Sequence, residues 1–155
     1  MTLYFAYGSN MHRGVMREHA PDAAPLGTAA LADHRFVVTA DGYASVEPQR
    51  RHVVHGVLWR ITARDRVKLD AWENVAGGLY RAVRLSVSQS GRRQPALVYI
   101  ARRRREGAPK PGYIEVVIAA AGDWGLPPAY IASLQRWAPR RAVGAGRKLG
   151  DFGWT

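Results

Sequence analysis

Runs of apolar and aromatic residues, several of them alternating with polar positions, predict that this chain is rich in β-strands. Four stretches carry the pattern: residues 3–7, 29–39, 52–62 and 79–102. Gly56 lies inside the strongest of them, HVVHGVLWRIT, and indicates a bulge or a close backbone approach. The last stretch turns at the Ser-Gly pair 90–91, which predicts a hairpin.

Helical signals separate and follow these strands. They fall on four segments: residues 11–19, 63–74, 112–125 and 127–137. Thr62 and Asp65 predict a capping-box-like start for the second helix, and the glycine pair 77–78 is expected to end it. Gly125 is expected to stop the third helix, and a proline lies in the first turn of the fourth.

Strands with helices between and after them predict an α+β fold with a sheet curled toward a barrel. The chain has 155 residues and shows neither an internal repeat nor a linker, so we expect one domain over residues 1–155. Residues 140–155 are rich in glycine, and we expect an irregular tail there.

Composition narrows the possible locations of the protein. The chain has no run of about 18 apolar residues, so we expect no membrane span. Its first residues turn polar too early for a secretory signal. The absence of Cys excludes a disulfide framework and thiolate chemistry. These features fit a reducing cytoplasm, and we expect a cytoplasmic protein.

The formal net charge is +11, carried by 20 Arg and 3 Lys against 12 acidic residues. Such a balance raises the question of a nucleic-acid or acidic partner. The basic residues are scattered, however, and the one dense run, RRRR at 102–105, leads into a loop without interleaved aromatic residues. An Arg-rich surface is the simpler interpretation, and we do not expect a nucleic-acid partner.

Glu73 is the acidic residue with the most unusual setting. It follows Leu69 by four positions and Trp72 by one, so it shares an apolar helix face with Leu69. Burial there would raise the pKa of its carboxyl by one unit or more, roughly, toward the range useful for proton transfer near neutral pH. The alternative is a Glu on a frayed last turn that reaches water. Asp70 is a possible partner, expected to be the more exposed of the two.

The loop YGSN, residues 7–10, joins the first strand to the first helix. Gly8 permits a backbone conformation closed to other residues, and converging backbone N–H groups at such a turn can bind an anion. Ser9 and Asn10 add side-chain donors. The alternative is an ordinary turn whose Ser or Asn caps the next helix. Ser9 lacks the surrounding pattern of a nucleophile.

The five His residues do not predict a metal site. His52 and His55 are three apart on a strand and therefore point to opposite faces. With no Cys and few acidic residues nearby, we expect neither a metal nor a cofactor.

Several motifs occur together and in one order: the YGSN loop, the strand HGVLW, the helix end LDAWE followed by GLY, and GLPPAYI in the last helices. In this combination, over nearly the whole chain up to about residue 137, the sequence resembles the γ-glutamylcyclotransferase family. Each motif alone would be weak.

The resemblance implies a small mixed barrel with flanking helices and a cofactor-free reaction. The α-amine of a γ-glutamyl group attacks its own γ-carbonyl, so that 5-oxoproline forms and an amine departs. The family's catalytic Glu falls on Glu73, as general acid and base. Its substrate-binding positions fall on these residues: Tyr4, Phe5, Ala6, Tyr7, Gly8, Ser9, Asn10, Tyr80, Tyr99 and Tyr113. From the sequence alone, the last three tyrosines could equally be core or surface residues.

The sequence departs from the family at Asn74, where relatives carry Gly directly after the catalytic Glu, and this change is expected to alter the helix end. Asn10 distinguishes the chain from the glutathione-specific branch, which carries Leu there. The expected partner is a small γ-glutamyl substrate; the leaving amine and the oligomeric state, including a homodimer, stay open. Two other hypotheses remain: a binding module on the same fold without turnover, and an Arg-rich protein for nucleic acid or an acidic partner.

Overall fold

The structure, a computed structural model, describes residues 2–139 and contains five strands closed into a barrel. The strands are β1 (Thr2–Ala6), β2 (Ala24–Val38), β3 (Ala44–Ile61), β4 (Tyr80–Gln89) and β5 (Arg92–Ala101). Their order around the barrel is β1-β3-β2-β4-β5. Neighbouring strands are antiparallel except β5 and β1, which close the barrel in parallel. The predicted α+β fold with a mixed barrel is therefore confirmed.

The strands β2 and β3 are longer than the sequence pattern indicated. The stretch 44–48 and the predicted strand 52–62 merge into one strand, β3, because both pair with β2. The register of the β2–β3 pairing shifts at two places, between Pro25 and Gly27 and between Ala32 and His34. Gly56 pairs regularly with Ala29, so the expected bulge is absent there, and the close backbone approach is correct.

Four α-helices flank the barrel: α1 (Arg13–His19), α2 (Ala63–Trp72), α3 (Tyr113–Trp124) and α4 (Pro128–Gln135). The predicted helix over 11–19 is divided, because a short 3-10 turn, Ser9–Met11, precedes α1 and His12 caps α1. The capping box of Thr62 and Asp65 is present at the start of α2. Gly125 ends α3 in the left-handed conformation, as expected. The predicted tail over 140–155 lies outside the described residues.

The end of α2 differs from the prediction. The helix ends at Trp72 with Glu73 as its C-cap, before the glycine pair 77–78. Asn74 adopts a positive φ of 49°, which turns the chain out of the helix. Asn is one of the few non-glycine residues that adopts this conformation readily. Asn74 therefore turns the chain away directly after the C-cap residue Glu73.

The interior of the barrel and α3 form one apolar core. Phe5, Leu58 and Ile114 are fully buried in it, each at 0% exposure. The core reaches the loop after β1, because Met11 is also fully buried and Trp124 Nε1 donates a hydrogen bond to the carbonyl of Met11 at 2.7 Å. The loop after β1 is therefore anchored on the body of the protein.

Candidate active site

A pocket opens where β1 ends, between the loop after β1 and the end of α2. Its lining combines tyrosines, loop backbone and one carboxyl group: Tyr4, Tyr7, Gly8, Ser9, Asn10, Tyr43, Ala44, Trp72, Glu73, Leu79, Tyr80, Tyr99 and Tyr113. A concave site of this kind, with a titratable group among aromatic side chains, is the usual form of a small-ligand site.

Glu73 reaches the pocket because of how α2 ends. The N–H of Glu73 still donates to the carbonyl of Leu69 at 2.8 Å, so the residue completes the last helical turn. Asn74 then reverses the chain, and its Oδ1 accepts a hydrogen bond from the N–H of Gly77 at 3.1 Å. The helix end and the turn after it together hold the Glu73 backbone on both sides.

The carboxyl group of Glu73 lies in an apolar and aromatic environment. The residue as a whole is partly exposed at the pocket, but burial of its carboxyl group raises the pKa to about 7. Within residues 2–139 the side chain has neither a hydrogen bond nor an ion pair that would stabilise the carboxylate. At neutral pH both its protonated and its ionised forms are therefore populated, as an acid–base group requires.

Four tyrosines surround this carboxyl group. Burial raises the pKa of Tyr4, Tyr7, Tyr80 and Tyr113, and the negative charge of Glu73 adds to the rise in each case. The four hydroxyl groups are therefore neutral and can act as hydrogen-bond donors or acceptors around the pocket.

Asn74 allows a direct test of this geometry. We expect Asn74→Gly to retain the fold and the pocket, since Gly adopts a positive φ without strain. Asn74→Val should cost about 1–3 kcal/mol and displace Glu73, because a β-branched residue is strained at positive φ. Urea unfolding measures the loss of stability. The rate of substrate turnover measures the displacement of Glu73. Equal stability of the Val and Gly variants would contradict this role of Asn74.

The loop after β1 presents backbone N–H groups to the pocket. Met11 and His12 donate to the carbonyls of Gly8 and Ser9 at 3.1 and 2.9 Å. The N–H groups of Ser9 and Asn10, at the start of this turn, donate to none of its carbonyls. The N–H of Ser9 instead donates toward the Tyr113 hydroxyl, whereas that of Asn10, in the pocket lining, can face an anionic group of a ligand.

The reason for glycine at position 8 differs from our expectation. Its φ is −107°, so no left-handed conformation requires glycine there. The constraint is space, since a Cβ on Gly8 would lie 2.7 Å from the Tyr113 hydroxyl. Glycine at this position therefore lets α3 bring Tyr113 against the loop.

Three pocket tyrosines donate their hydroxyl hydrogens to the protein itself. Tyr7 donates to the carbonyl of Tyr99 at 2.5 Å, and Tyr80 donates to that of Ala44 at 2.6 Å. Tyr99 donates to Asp70 Oδ1 at 2.6 Å. These bonds join the loop after β1 to β5, β4 to β3, and β5 to α2 around the pocket, and they hold the rings in place.

Asp70 supports the wall of the pocket. Its Oδ1 accepts from Tyr99 and also from Arg66 Nε at 2.9 Å. The side chain keeps about a third of its exposure, at 34%, and its contacts are with these two residues and not with Glu73. No local sequence pattern predicts the bond to Tyr99, because 29 residues separate the two positions.

Nine of the eleven residues expected at the site line this pocket. Phe5 and Ala6 do not: Phe5 is fully buried and its ring packs beside Gly56, and the carbonyl of Ala6 lies against the same glycine. Alternation along β1 explains the difference for Phe5, because it points to the face opposite Tyr4. The lining residues that sequence reasoning missed are Tyr43, Ala44, Trp72 and Leu79. Tyr43 and Ala44 lie just before and at the start of β3, where no sequence motif indicated a ligand site.

The match to a family model decides the relationship of this chain to known proteins. Residues 53–134, more than half of the chain, match the model described as the AIG2-like family. This chain belongs to the AIG2-like family. Human gamma-glutamylcyclotransferase is 27% identical to this chain over 92% of this chain and 81% of its own length. The bovine protein of the same name is 28% identical over 88% of this chain and 79% of its own length.

A solved structure has the same architecture as this chain. A chain named gamma-glutamyl cyclotransferase superimposes with a TM-score of 0.84 at 25% identity, covering 95% of this chain and 94% of that one. The resemblance inferred from the sequence is thus confirmed at the level of family and fold. The relatives' name indicates a cyclotransferase family with a small-molecule substrate.

Two further observations concern residues 2–139 only. No helix in this range is both long and apolar enough to cross a membrane. No three or more His, Asp or Glu side chains in this range are grouped as they would be around a metal ion.

Proposed function

We propose that this protein is a cyclotransferase that converts a γ-glutamyl amino acid or a γ-glutamyl amine into 5-oxoproline and the free amine. The observation that carries the proposal is the carboxyl group of Glu73, whose pKa burial raises to about 7 and which faces a tyrosine-lined pocket beside an N–H-bearing loop. The names of its relatives support the same reaction class.

The reaction supplies its own nucleophile. The substrate's α-nitrogen forms a bond to the γ-carbonyl carbon, and the amide bond from that carbon to the leaving nitrogen breaks. Ring closure converts the α-ammonium into an amide N–H, so this nitrogen loses two protons and the leaving amine gains two. Glu73 as a carboxylate accepts a proton from the α-nitrogen, and as a carboxylic acid it delivers one to the leaving nitrogen.

Positioning is the second requirement. The substrate must fold into a nearly cyclic shape before attack, and a bound near-attack geometry is a large part of such a rate enhancement. In our proposal the loop of residues 7–10, with the backbone N–H of Asn10, binds the substrate α-carboxylate or the oxyanion that develops on the γ-carbonyl. The rigid tyrosine walls would then hold the glutamyl chain against Glu73.

The protonation of Glu73 predicts a pH dependence of activity. The first step needs the ionised form, so kcat/KM should fall as pH decreases below the raised pKa of about 7 and level off above it. The measurement is kcat/KM between about pH 5 and pH 9, with buffers of constant ionic strength. An acidic limb centred near the usual range of an exposed Glu would contradict the assignment of the buried carboxyl as the base.

The first experiment is release of 5-oxoproline from a panel of γ-glutamyl amino acids and γ-glutamyl amines by the purified protein. Release from any member supports the reaction, and the preferred member names the leaving amine. Binding of panel members without release would favour the alternative of a binding module on this fold. If the protein neither releases 5-oxoproline from any panel member nor binds one, the proposed substrate class is wrong.

A further inference from the structure

Tyr4 differs from Tyr7, Tyr80 and Tyr99 in the use of its hydroxyl hydrogen. The hydroxyls of Tyr7, Tyr80 and Tyr99 donate to protein oxygens. The Tyr4 hydroxyl instead accepts a hydrogen bond, from Asn10 Nδ2 at 2.9 Å. Within residues 2–139 no protein atom accepts a hydrogen bond from Tyr4. Its hydrogen is therefore available to a ligand, and Tyr4 lies in the pocket lining.

Asn10 is held at its other end by His19. The distance between Asn10 Oδ1 and His19 Nδ1 is 2.7 Å, and both residues are buried, at 5% and 8% exposure. The chain Tyr4–Asn10–His19 thus runs from the pocket into the space between the loop, α1 and α2, where the His19 ring lies 3.7 Å from that of Trp72, centroid to centroid. Neither Asn10 nor His19 offers another acceptor to the Tyr4 hydrogen in this arrangement.

The direction of the hydrogen bonds along this chain depends on one proton. Burial lowers the pKa of His19 to about 4, so the ring is neutral near pH 7 and carries a single N–H. With the proton on Nδ1, His19 donates to Asn10 Oδ1, Asn10 donates to Tyr4, and the Tyr4 hydrogen points elsewhere. With the proton on Nε2, the amide of Asn10 would turn over and accept the Tyr4 hydrogen.

The structure has the first arrangement, in which Asn10 Nδ2 faces the Tyr4 hydroxyl and Asn10 Oδ1 faces His19 Nδ1. Within residues 2–139 it leaves the Tyr4 hydrogen, at the pocket, and the Nε2 lone pair of His19 without a protein partner. The second arrangement would leave an Nε2–H donor without a partner in the same part of the chain. It would also pair the Tyr4 hydrogen with Asn10 Oδ1 and Asn10 Nδ2 with His19 Nδ1, and leave no Tyr4 hydrogen for a ligand.

We propose that Tyr4 is a hydroxyl donor of the pocket to an oxygen of the γ-glutamyl substrate, and that Asn10 and His19 are positioning residues that direct its hydrogen there. This inference rests on the proposed function for the identity of the substrate. It adds a specific hydrogen-bond donor and explains why Asn occupies position 10. The amide of Asn10 accepts a hydrogen bond from His19 and donates one to Tyr4. A leucine at position 10 has no group that can do either.

The tautomer of His19 tests the direction without any substrate. The protein is labelled with ¹⁵N, and the long-range ¹H–¹⁵N correlations of its imidazoles are recorded near pH 7. His19→Gln identifies the signals of His19 among the five histidines. We expect the proton on Nδ1. A proton on Nε2 would overturn the proposal, because Asn10 would then accept the Tyr4 hydrogen.

A double-mutant cycle tests the effect on the reaction. We expect Tyr4→Phe to lower kcat/KM by about 10- to 100-fold, as for loss of one oriented donor. Asn10→Asp keeps the shape, but its carboxylate accepts from Tyr4, so it should lower kcat/KM to a similar extent. In the Tyr4→Phe background, Asn10→Asp should lower kcat/KM by a further factor of less than about three, because both residues act through one hydroxyl.

Other outcomes of the cycle overturn the proposal. If the Asn10→Asp effect persists in full in the Tyr4→Phe background, Asn10 acts on structure or on pocket charge and does not position Tyr4. If Tyr4→Phe retains kcat/KM within about twofold of wild type, Tyr4 is not the donor. The matched control is Tyr130→Phe on α4, which removes a buried tyrosine hydroxyl outside the pocket and should leave kcat/KM unchanged.

Failure of the proposed function gives a different result from failure of this inference. If the wild type releases no 5-oxoproline, the same cycle is measured on binding of 5-oxoproline and of L-glutamate by calorimetry. Binding that weakens about tenfold in Tyr4→Phe would keep the donor role and reject the turnover. Binding unaffected by Tyr4→Phe, or no binding to the wild type, would overturn the donor role as well.

Discussion

Glu73→Gln is expected to abolish release of 5-oxoproline while the protein keeps its fold and its ability to bind the substrate. Gln has the shape of Glu but can neither accept a proton from the α-nitrogen nor deliver one to the leaving amine. General acid–base catalysis contributes about 10²- to 10⁴-fold, so kcat should fall by about 10³-fold or more if Glu73 serves both steps. KM should change little, because the tyrosine walls and the loop remain.

The comparison needs two controls. Glu115→Gln on α3 removes an exposed carboxylate of the same type and should leave kcat unchanged. Unfolding of Glu73→Gln in urea should show no loss of stability near pH 8. The raised pKa of about 7 means that the Glu73 carboxylate destabilises the native state as pH rises above its ordinary value of 4.5, and Gln removes this effect. A kcat within about tenfold of wild type would exclude Glu73 as the proton carrier.

The second large effect concerns stability. Gly56→Ala is expected to destabilise the protein by about 3 kcal/mol or more, since overpacking against a fixed backbone is costly. A Cβ at this position would lie 2.3 Å from the backbone oxygen of Ala6 and 2.9 Å from two ring carbons of Phe5. Neither neighbour can move freely, because Ala6 is paired in the barrel and Phe5 is fully buried.

Urea unfolding followed by circular dichroism measures the change in the free energy of unfolding. Gly122→Ala on α3 is the matched control, because its Cβ would meet no atom within 4 Å and helix propensity favours Ala. We expect that variant to be as stable as the wild type or more stable. Equal behaviour of the two variants would show that the barrel adjusts at Gly56. Since Ala6 leads directly into the loop of the pocket, Gly56→Ala should also weaken substrate binding.

Much of the fold could be predicted from the sequence because its signals are local. The capping box of Thr62 and Asp65, the hairpin at the Ser-Gly pair 90–91 and the stop at Gly125 each depend on a few neighbouring residues. The ends of strands and helices could not be predicted where a partner far away in the sequence decides them. The strand β3 runs unbroken because β2 pairs with both of its halves, and no local pattern contains that information.

The same distinction between local signals and long-range partners applies to the candidate site. The YGSN loop, Glu73 and the motif around it could be identified from residues that stand together in the sequence, and the family relationship followed from their order. The departure at Asn74 looked like a change of the helix end. In the structure it keeps a conformation that glycine also adopts, because Asn tolerates a positive φ.

By itself the sequence determined the strands and helices, the polar turn after β1 and the choice of Glu73 as the acid–base candidate. Only the tertiary structure decided what surrounds that carboxyl and where each hydroxyl hydrogen goes. Tyr7 reaches the carbonyl of Tyr99 across 92 positions of sequence, and Tyr80 reaches that of Ala44 across 36. A pKa and a hydrogen-bond direction depend on neighbours in space, and closure of the barrel brings those neighbours together from β1, β3, β4 and β5.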